Sequence, residues 1–225
     1  MKNIIIIAQW VFILCLPVLL LTGSVSGAAN SLWLYKYGFE KYNISQVTGL
    51  APAELDKAAR GLRGYFNSGD EFINIVVEKD EKPFTLFNER EVDHLKDVKG
   101  LFQVVYKILL GSLVYALIFI GLSLFWWREK KRLGRGLFFG GCLTLALMLV
   151  LGVVIAVDFD QFFLQFHMLS FANDFWMLDP ARDYLIMLFP QGFWFDAALF
   201  CAIATAAGAV ISGGGGWWQM RKNRA

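Results

Sequence analysis

Long apolar runs dominate the pattern of hydrophobic and polar positions along the chain. Four of them, at residues 1–23, 102–127, 137–157 and 193–214, are long enough for a membrane-spanning helix. A helix needs about 20 apolar residues to cross the hydrocarbon core of a bilayer. The fourth run is rich in Ala and Gly, which suits close approach between helices. The pattern predicts an α-helical integral membrane protein with four transmembrane helices.

The first apolar run has two interpretations. Lys2 precedes it and small residues follow it, as in a cleavable signal peptide. Its apolar stretch, residues 4–23, is longer than the hydrophobic region of a typical signal peptide. We therefore interpret it as a retained anchor.

Basic residues are concentrated in segments that should face the cytoplasm. The segment 128–136, between the second and third runs, carries five basic residues and one acid within REKKRLGR, and the tail 215–225 ends in RKNRA. Cytoplasmic segments of membrane proteins carry an excess of Lys and Arg. This distribution predicts a multi-pass plasma-membrane protein with both termini in the cytoplasm. Segments 24–101 and 158–192 then face outward, the second with five Asp and a single Arg.

Composition excludes several function classes. Hydrophobic residues make up 57% of the chain and charged residues only 18%, which excludes an ordinary soluble domain. The three cysteines lie in apolar runs without a C-x-x-C spacing, which argues against a disulfide framework or a zinc site. With two histidines, no phosphate loop and no dinucleotide fingerprint, we expect neither a metal nor a cofactor.

The first outward segment, 24–101, is predicted to fold as a small α+β extracellular cap. Residues 31–39 have strand character, and residues 52–66 indicate a helix with proline at its first position. Residues 72–87 resemble a hairpin with a polar turn at 79–82. Residues 89–106 predict a helix that runs into the second span.

The second outward segment, 158–192, is predicted to form two helical stretches. We expect the third span to continue as a helix through residues 159–174. Asp179 followed by Pro180 is a helix start signal, and Pro190 should end that short helix. The apolar composition of the short helix suggests that it lies in the membrane interface.

The chain has only two histidines, and the predicted topology brings them to the same side. His94 lies about nine residues before the second span, and His167 about ten after the third. Since a short segment joins these spans, they should be antiparallel neighbours. Both imidazoles would then project from the outer face at similar height. The alternative is two unrelated interfacial histidines.

Neighbouring polar residues favour a catalytic site. Asp97 lies three residues after His94, and Asp174 lies seven after His167, spacings that share one face of a helix. A carboxylate bonded to one ring nitrogen would make the other nitrogen a better base. Asn173 could donate a hydrogen bond to a developing oxyanion. The alternative for Asn173 and Asp174 is a turn or cap.

Two further residues are candidate substrate contacts. Trp176 lies in an aromatic-rich stretch that could hold acyl chains, although interfacial packing explains such residues equally well. Lys99 could bind a lipid phosphate, or it could be a lysine that snorkels to the interface.

Two segments resemble the lipoprotein intramolecular transacylase (Lit) family. They are EREVDHLKDVKGLF, residues 89–102, and FHMLSFANDFWMLDPARDYLIMLFP, residues 166–190. The resemblance implies an acyltransferase that moves the sn-2 acyl chain of a diacylglyceryl-cysteine lipoprotein to the N-terminal cysteine amine. It also implies that His94 and His167 are the catalytic pair. The implied partners are the lipoprotein substrate and membrane lipids, with no nucleic acid.

Two rival functions remain open from the sequence. One is a non-enzymatic membrane sensor or accessory protein, for which either histidine could be replaced without loss. The other is a lipid-ester hydrolase, which would release the acyl chain to water.

Overall fold

The computed structural model describes residues 2–222, except for the side chain of Lys2. The end of the predicted cytoplasmic tail, residues 223–225, lies outside the described residues. The basic charges assigned to Lys2 and to this tail end are therefore sequence observations only.

The described residues form nine α-helices and one two-stranded hairpin. In chain order they are α1 (Lys2–Asn30), α2 (Leu32–Lys41), α3 (Ile44–Thr48), α4 (Pro52–Phe66), β1 (Val76–Lys79), β2 (Lys82–Thr85), α5 (Glu89–Gly121), α6 (Lys130–Val157), α7 (Phe159–Ser170), α8 (Tyr184–Leu188) and α9 (Gln191–Lys222). A π-helical turn, Leu122–Trp126, follows α5.

Four helices in residues 2–222 are long and apolar enough to cross a membrane. They are α1, α5 with its π-helical turn, α6 and α9. Apart from Trp127, the described residues of the four apolar runs lie within these helices. All four helices extend beyond the apolar runs at one end or at both.

The basic segment 128–136 is mostly helix rather than loop. Helix α6 begins at Lys130, so the connection is confined to 127–129, with Arg128 in the left-handed region at φ 53°. Lys, Arg and Leu have high helix propensity, which explains why the run extends the helix. The prediction of a loop through residue 136 was wrong.

The chain divides into two units by its internal contacts. The first contains residues 1–26, 105–157 and 199–225, and the second contains residues 27–104 and 158–198.

Small residues allow close helix packing in the first unit. A Cβ added at Gly141 of α6 would lie 2.7 Å from the Ala209 carbonyl oxygen and 2.9 Å from Gly213 Cα, both in α9. Helices α1 and α5 meet through stacked rings of Phe12 and Phe119, whose centroids are 4.5 Å apart. The Ala and Gly content of the fourth run thus serves close approach, as the sequence indicated.

The second unit has its own apolar core. Buried side chains of α2, α4, α8 and the hairpin form a single cluster. Helix α4 and the antiparallel pairing of β1 with β2 confirm the predicted helix at 52–66 and the predicted hairpin. Helix α5 confirms the predicted helix from residue 89.

The predicted strand at 31–39 is wrong, because residues 32–39 belong to α2 and Ser31 is its N-cap. Leu34, Tyr35, Gly38 and Phe39 are its buried residues, a helical spacing that covers one face. Its aromatic residues favour strands in isolation, but packing against the core decides the outcome.

The segment 158–192 also departs from its predicted form. Asp158 has extended backbone and ends the helical path of α6, and its side chain accepts a hydrogen bond from Gln161 N at 2.9 Å. Helix α7 ends at Ser170, so Asn173 and Asp174 are not helical. The later short helix starts after Asp183 rather than at Asp179.

The glycine contact in the first unit gives a stability prediction. Gly141→Ala should destabilise the protein by about 1–3 kcal/mol, because the new methyl group meets backbone atoms that cannot rotate away. Gly152→Ala in the same helix is the matched control, since a Cβ there meets nothing within 4 Å. Thermal unfolding of the purified protein in detergent measures both. Equal melting temperatures for the two variants would contradict the packing.

Candidate active site

His94 is positioned by the first turns of α5, which a reciprocal cap anchors. Asn88 N donates to Glu91 Oε2 at 2.8 Å, and Glu91 N donates to Asn88 Oδ1 at 3.1 Å. This is the capping-box arrangement at a helix start. The other oxygen of Glu91 accepts from Leu185 N at 2.6 Å. The buried Glu91 carboxylate therefore ties the His94 turn to α8.

A second buried carboxylate completes this anchor. Asp183 Oδ1 accepts from Asn88 Nδ2 at 2.9 Å, and its Oδ2 accepts from Asp179 N at 2.7 Å. Buried carboxylates are costly unless they are hydrogen-bonded. Here amide donors satisfy them, so the start of α5 is fixed to the turn before α8.

His167 is positioned by α7 and by a backbone acceptor. Its Nδ1 lies 2.8 Å from the carbonyl oxygen of Phe163, one turn earlier in the same helix. Since a carbonyl only accepts, Nδ1–H is the donor. The neutral ring therefore carries its proton on Nδ1 and leaves the lone pair of Nε2 free.

The two imidazoles lie together in the second unit. Their ring centroids are 6.2 Å apart. His94 is 6% exposed and His167 8%. The Phe171 ring contacts both, with centroid distances of 5.0 Å to His94 and 5.6 Å to His167. The predicted convergence of the only two histidines is therefore present in the structure.

Aromatic side chains make the surroundings of His167 apolar. Its ring centroid lies 4.3 Å from that of Phe163, 5.4 Å from that of Phe166 and 5.1 Å from that of Trp176. Burial lowers the pKa of the His167 imidazole from its usual 6.5, and the hydrogen bond to Phe163 opposes that shift without cancelling it. His167 is thus held neutral, as a proton acceptor must be.

His94 keeps an unused hydrogen-bonding atom. Its Nδ1 is buried and makes no hydrogen bond to any residue that the structure describes. A buried polar atom without a partner favours the binding of a group that forms a hydrogen bond with it. His94 Nδ1 and the Nε2 lone pair of His167 can therefore exchange protons with a bound group.

The supporting carboxylates are arranged differently from the prediction. Asp97 Oδ2 accepts from Asn173 Nδ2 at 2.8 Å, so these two predicted residues meet each other. The expected carboxylate on a ring nitrogen of His167 was wrong, because the Phe163 carbonyl holds that position. Asn173 Oδ1 also accepts from Phe175 N at 3.1 Å, which forms the turn given as its alternative role.

Asp174 lies at an open surface rather than beside His167. Its backbone carbonyl accepts from Arg90, and its side chain is exposed. It lines an open groove of about 650 Å³. The expectation that it shares a helical face with His167 was wrong, since α7 ends at Ser170.

The two predicted substrate contacts have different surroundings. Trp176 is in contact with the His167 ring. The Lys99 ammonium group is buried, donates to the carbonyl of Asp70 and lies 4.2 Å from the ring centroid of Tyr65. These contacts give Lys99 a structural role in holding the 68–70 turn against α5.

Five residues that position the site were not identified from the sequence. Asp158 followed by Gln161 is a capping pattern that could have revealed the start of α7. Asn88 and Glu91 have the same spacing and mark the start of α5. The Phe163 carbonyl has no side-chain signature, although it lies four residues before His167.

Within residues 2–222, no three His, Cys, Asp or Glu side chains are grouped to hold a metal ion.

Comparison by sequence finds one family and one relative. The family model described as "Lipoprotein intramolecular transacylase Lit" matches residues 10–194. An uncharacterized protein of Aquifex aeolicus (strain VF5) is 29% identical over 137 residues, which cover 60% of this chain and 56% of that protein. The matched chain thus spans little more than half the length of this relative.

Comparison by structure finds the membrane integral lipoprotein intramolecular transacylase Lit from Bacillus cereus. Its TM-score is 0.84 at 20% identity, with 100% of this chain and 99% of that chain covered. A form of the Bacillus protein with a histidine replaced by arginine gives 0.78 at 20% identity, covering 99% and 95%. At this identity the likeness shows the fold. It confirms a multi-pass helical membrane protein with a small α+β part.

The buried cap of α5 gives a second stability prediction. Glu91→Ala should lower the free energy of unfolding by about 2 kcal/mol, because the buried N–H group of Leu185 and the partly buried N–H group of Asn88 lose their acceptor. Glu89→Ala is the control, since Glu89 lies in the same turn and is exposed. Thermal unfolding of both variants checks this. A loss of stability in Glu91→Ala no larger than that in Glu89→Ala would contradict this role of the Glu91 hydrogen bonds.

The lowered pKa of His167 gives a pH prediction. Below pH about 6.5 the unfolded chain binds a proton at this histidine while the folded chain resists it. The contribution of neutral His167 to stability is therefore complete above pH 6.5 and is lost as the pH falls below it. The stability advantage of the wild type over His167→Gln should shrink between pH 7.5 and pH 5.5, roughly one unit on either side of the normal pKa. An advantage independent of pH would contradict burial of a neutral ring.

Proposed function

Because the chain belongs to the lipoprotein intramolecular transacylase (Lit) family, we propose that it moves an acyl chain within a lipoprotein substrate. The substrate would be a diacylglyceryl-modified lipoprotein with a free N-terminal cysteine amine. The sn-2 acyl chain passes from the glyceryl oxygen to that amine. The product is a lyso-form lipoprotein, acylated on nitrogen and carrying one acyl chain on the glyceryl group.

The observation that carries this proposal is the buried pair of histidines. The two rings come from separate helices, and their centroids are 6.2 Å apart among aromatic side chains. Ester-to-amide transfer needs a proton acceptor for the amine and a proton donor for the departing oxygen. A neutral imidazole with a pKa below 7 can do both in sequence.

The proton path starts at His167. Its Nε2 accepts a proton as the amine attacks the ester carbonyl carbon and the new C–N bond forms. The tetrahedral intermediate then collapses, the C–O bond to the glyceryl group breaks, and the oxygen takes the proton. The hydrogen bond from Nδ1–H to Phe163 stabilises the imidazolium that forms between these two steps. Water does not attack the ester carbonyl carbon, so the acyl chain is conserved.

His94 is the partner of His167 in this reaction. Its unpaired Nδ1 is available to the amine, the ester oxygen or a bridging water. Burial and the neighbouring His167 lower the pKa of the His94 imidazole to about 4, and the Asp97 carboxylate, one turn further along α5, opposes that shift without cancelling it. Asn173 holds Asp97 and is placed by the same turn that brings Trp176 to His167.

The apolar surroundings suit a substrate with long acyl chains. Trp176, Phe166 and Phe171 contact the histidine rings, and a bound acyl chain would exclude water from them. Since amine and ester are on one molecule, the main task of the site is to hold them together. We propose that the site works at the outer face of the plasma membrane, with both termini in the cytoplasm, on the basis of the charge distribution.

A lipopeptide experiment tests the function. The full chain is expressed in cells that make diacylated lipoproteins and lack any other N-acylating activity. The N-terminal lipopeptide of a reporter lipoprotein is then fragmented by mass spectrometry. We expect an unchanged mass with one acyl chain moved to the amine. Loss of the mass of one acyl chain would identify a hydrolase, and an unmodified lipopeptide would favour a sensor or accessory protein.

Histidine variants test the assignment of the pair. His167→Ala and His94→Ala should each lower product formation by about a hundredfold or more, the usual contribution of a general acid or base. Lys57→Gln is the control, because Lys57 is exposed on α4. Membrane levels of each variant are measured alongside. Full activity of either histidine variant would overturn its catalytic role.

A further inference from the structure

The strongest positive charge in the first unit surrounds the start of α6. Arg128, Lys130, Lys131, Arg132 and Arg135 line an open cavity of about 510 Å³, and Glu129 is the one acid among the lining residues. Arg132 forms an ion pair with Glu129, so this acid is already neutralised. The other four basic side chains are exposed and have no ion pair within residues 2–222.

Backbone geometry adds to the attraction for an anion. Arg128 is in the left-handed region, and α6 begins two residues later. The first amide N–H groups of an α-helix have no intrahelical partner and carry partial positive charge. They lie within the same basic segment, so side-chain and backbone donors both belong to this one short stretch.

Apolar residues flank the basic cavity. Phe125 and Trp126 precede Arg128 and are 79% and 75% exposed. The last turns of α9 approach Gly134 of α6, where an added Cβ would be 3.5 Å from Met220 N. Next to that contact the Arg221 guanidinium lies over the ring of Trp217 at 4.0 Å. Exposed aromatic and basic residues in one place are typical of the lipid headgroup region.

We propose that this basic cavity, formed by Arg128, Lys130, Lys131 and Arg135, binds the phosphate-bearing headgroup of an anionic phospholipid. A soluble phosphate would use the charges but not the exposed Phe125 and Trp126. A membrane lipid uses both, because its acyl chains cover the aromatic surface while the phosphodiester meets the basic side chains. The site is separate from the histidine pair and does not depend on the proposed transacylase activity.

The test measures lipid preference in purified protein. The full chain in neutral detergent is titrated with short-chain phosphatidylglycerol or with short-chain phosphatidylcholine of the same chain length, and native mass spectrometry counts bound lipid. We expect at least a tenfold preference for the anionic lipid, since each basic side chain near such a lipid contributes about fivefold in affinity. Equal affinity for the two lipids would overturn the proposal.

Matched variants locate the site. Lys130→Gln/Lys131→Gln/Arg135→Gln should lose most of the preference, up to roughly a hundredfold for three charges. Lys36→Gln/Lys57→Gln/Arg60→Gln removes the same charge from exposed positions of the second unit and should retain it. Lys130→Arg/Lys131→Arg keeps the charge and should retain it too. The proposal would be overturned if the triple variant of the cavity kept the preference for the anionic lipid. It would also be overturned if the second-unit triple variant or the Lys-to-Arg variant lost that preference.

A competition arm separates a lipid site from a simple anion site. Glycerol phosphate and inorganic phosphate are added at the concentration that gives half-saturation with phosphatidylglycerol. We expect neither to displace the lipid at that concentration. Displacement by either would show that the charges act without the acyl chains, and would overturn the assignment to a phospholipid. A role of these charges in membrane topology alone predicts no lipid preference in detergent, where the protein has no sidedness.

Discussion

The hydrogen bond from His167 Nδ1 to the Phe163 carbonyl determines what the histidine pair can do. It lies within one helix, so its geometry follows from the helical repeat and needs no distant residue. It fixes the neutral tautomer and leaves Nε2 unprotonated. Burial among Phe163, Phe166 and Trp176 favours that neutral form, and the same hydrogen bond tolerates a transient positive charge. A proton shuttle needs both properties in one ring.

The rest of the second unit brings a second imidazole to this ring and keeps it there. The buried carboxylates of Glu91 and Asp183 and the side chain of Asn88 connect the start of α5 to α8 and the turn before it through hydrogen bonds. The bond between Asp97 and Asn173 connects α5 to the chain that follows α7. Each is worth only a modest net free energy, since water is displaced to make it. Together they restrict the distance between the two rings, which is the quantity that proton exchange depends on.

Much of the fold follows from patterns in the sequence, and the errors have physical causes. The apolar runs predicted the four long helices. The proline at the start of α4 was sufficient to predict that helix, and the polar turn was sufficient to predict the hairpin. Residues 31–39 were misassigned because their aromatic content favours a strand, whereas α2 buries its aromatic residues on one helical face. The break at Asp158 was missed because the apolar pattern continues across it. A helix cap is signalled by only two residues, whereas a membrane span is signalled by about 20.

In the candidate site, the meeting of the two histidines was predictable from the sequence, but most of the residues that position them were not. Topology alone placed His94 and His167 on one side, because two adjacent spans carry them at similar distances. Their orienting partners were not predictable in the same way, because Phe163 acts through its backbone and Asn173 meets Asp97 across a long sequence separation. Trp176 contacts the His167 ring, and its role as a substrate contact stays a prediction. The predicted place of Asp174 beside His167 required α7 to continue past Ser170, where the helix ends.

The most direct test of the account is the protonation state of His167 in the folded protein. Nitrogen-15 spectra of the full chain labelled at histidine, assigned with His94→Gln, report the proton on each ring nitrogen. The account predicts a neutral His167 at neutral pH, protonated at Nδ1 and unprotonated at Nε2, with resonances that shift when His94 is replaced. A His167 that is cationic at neutral pH, or that carries its proton on Nε2, would contradict it.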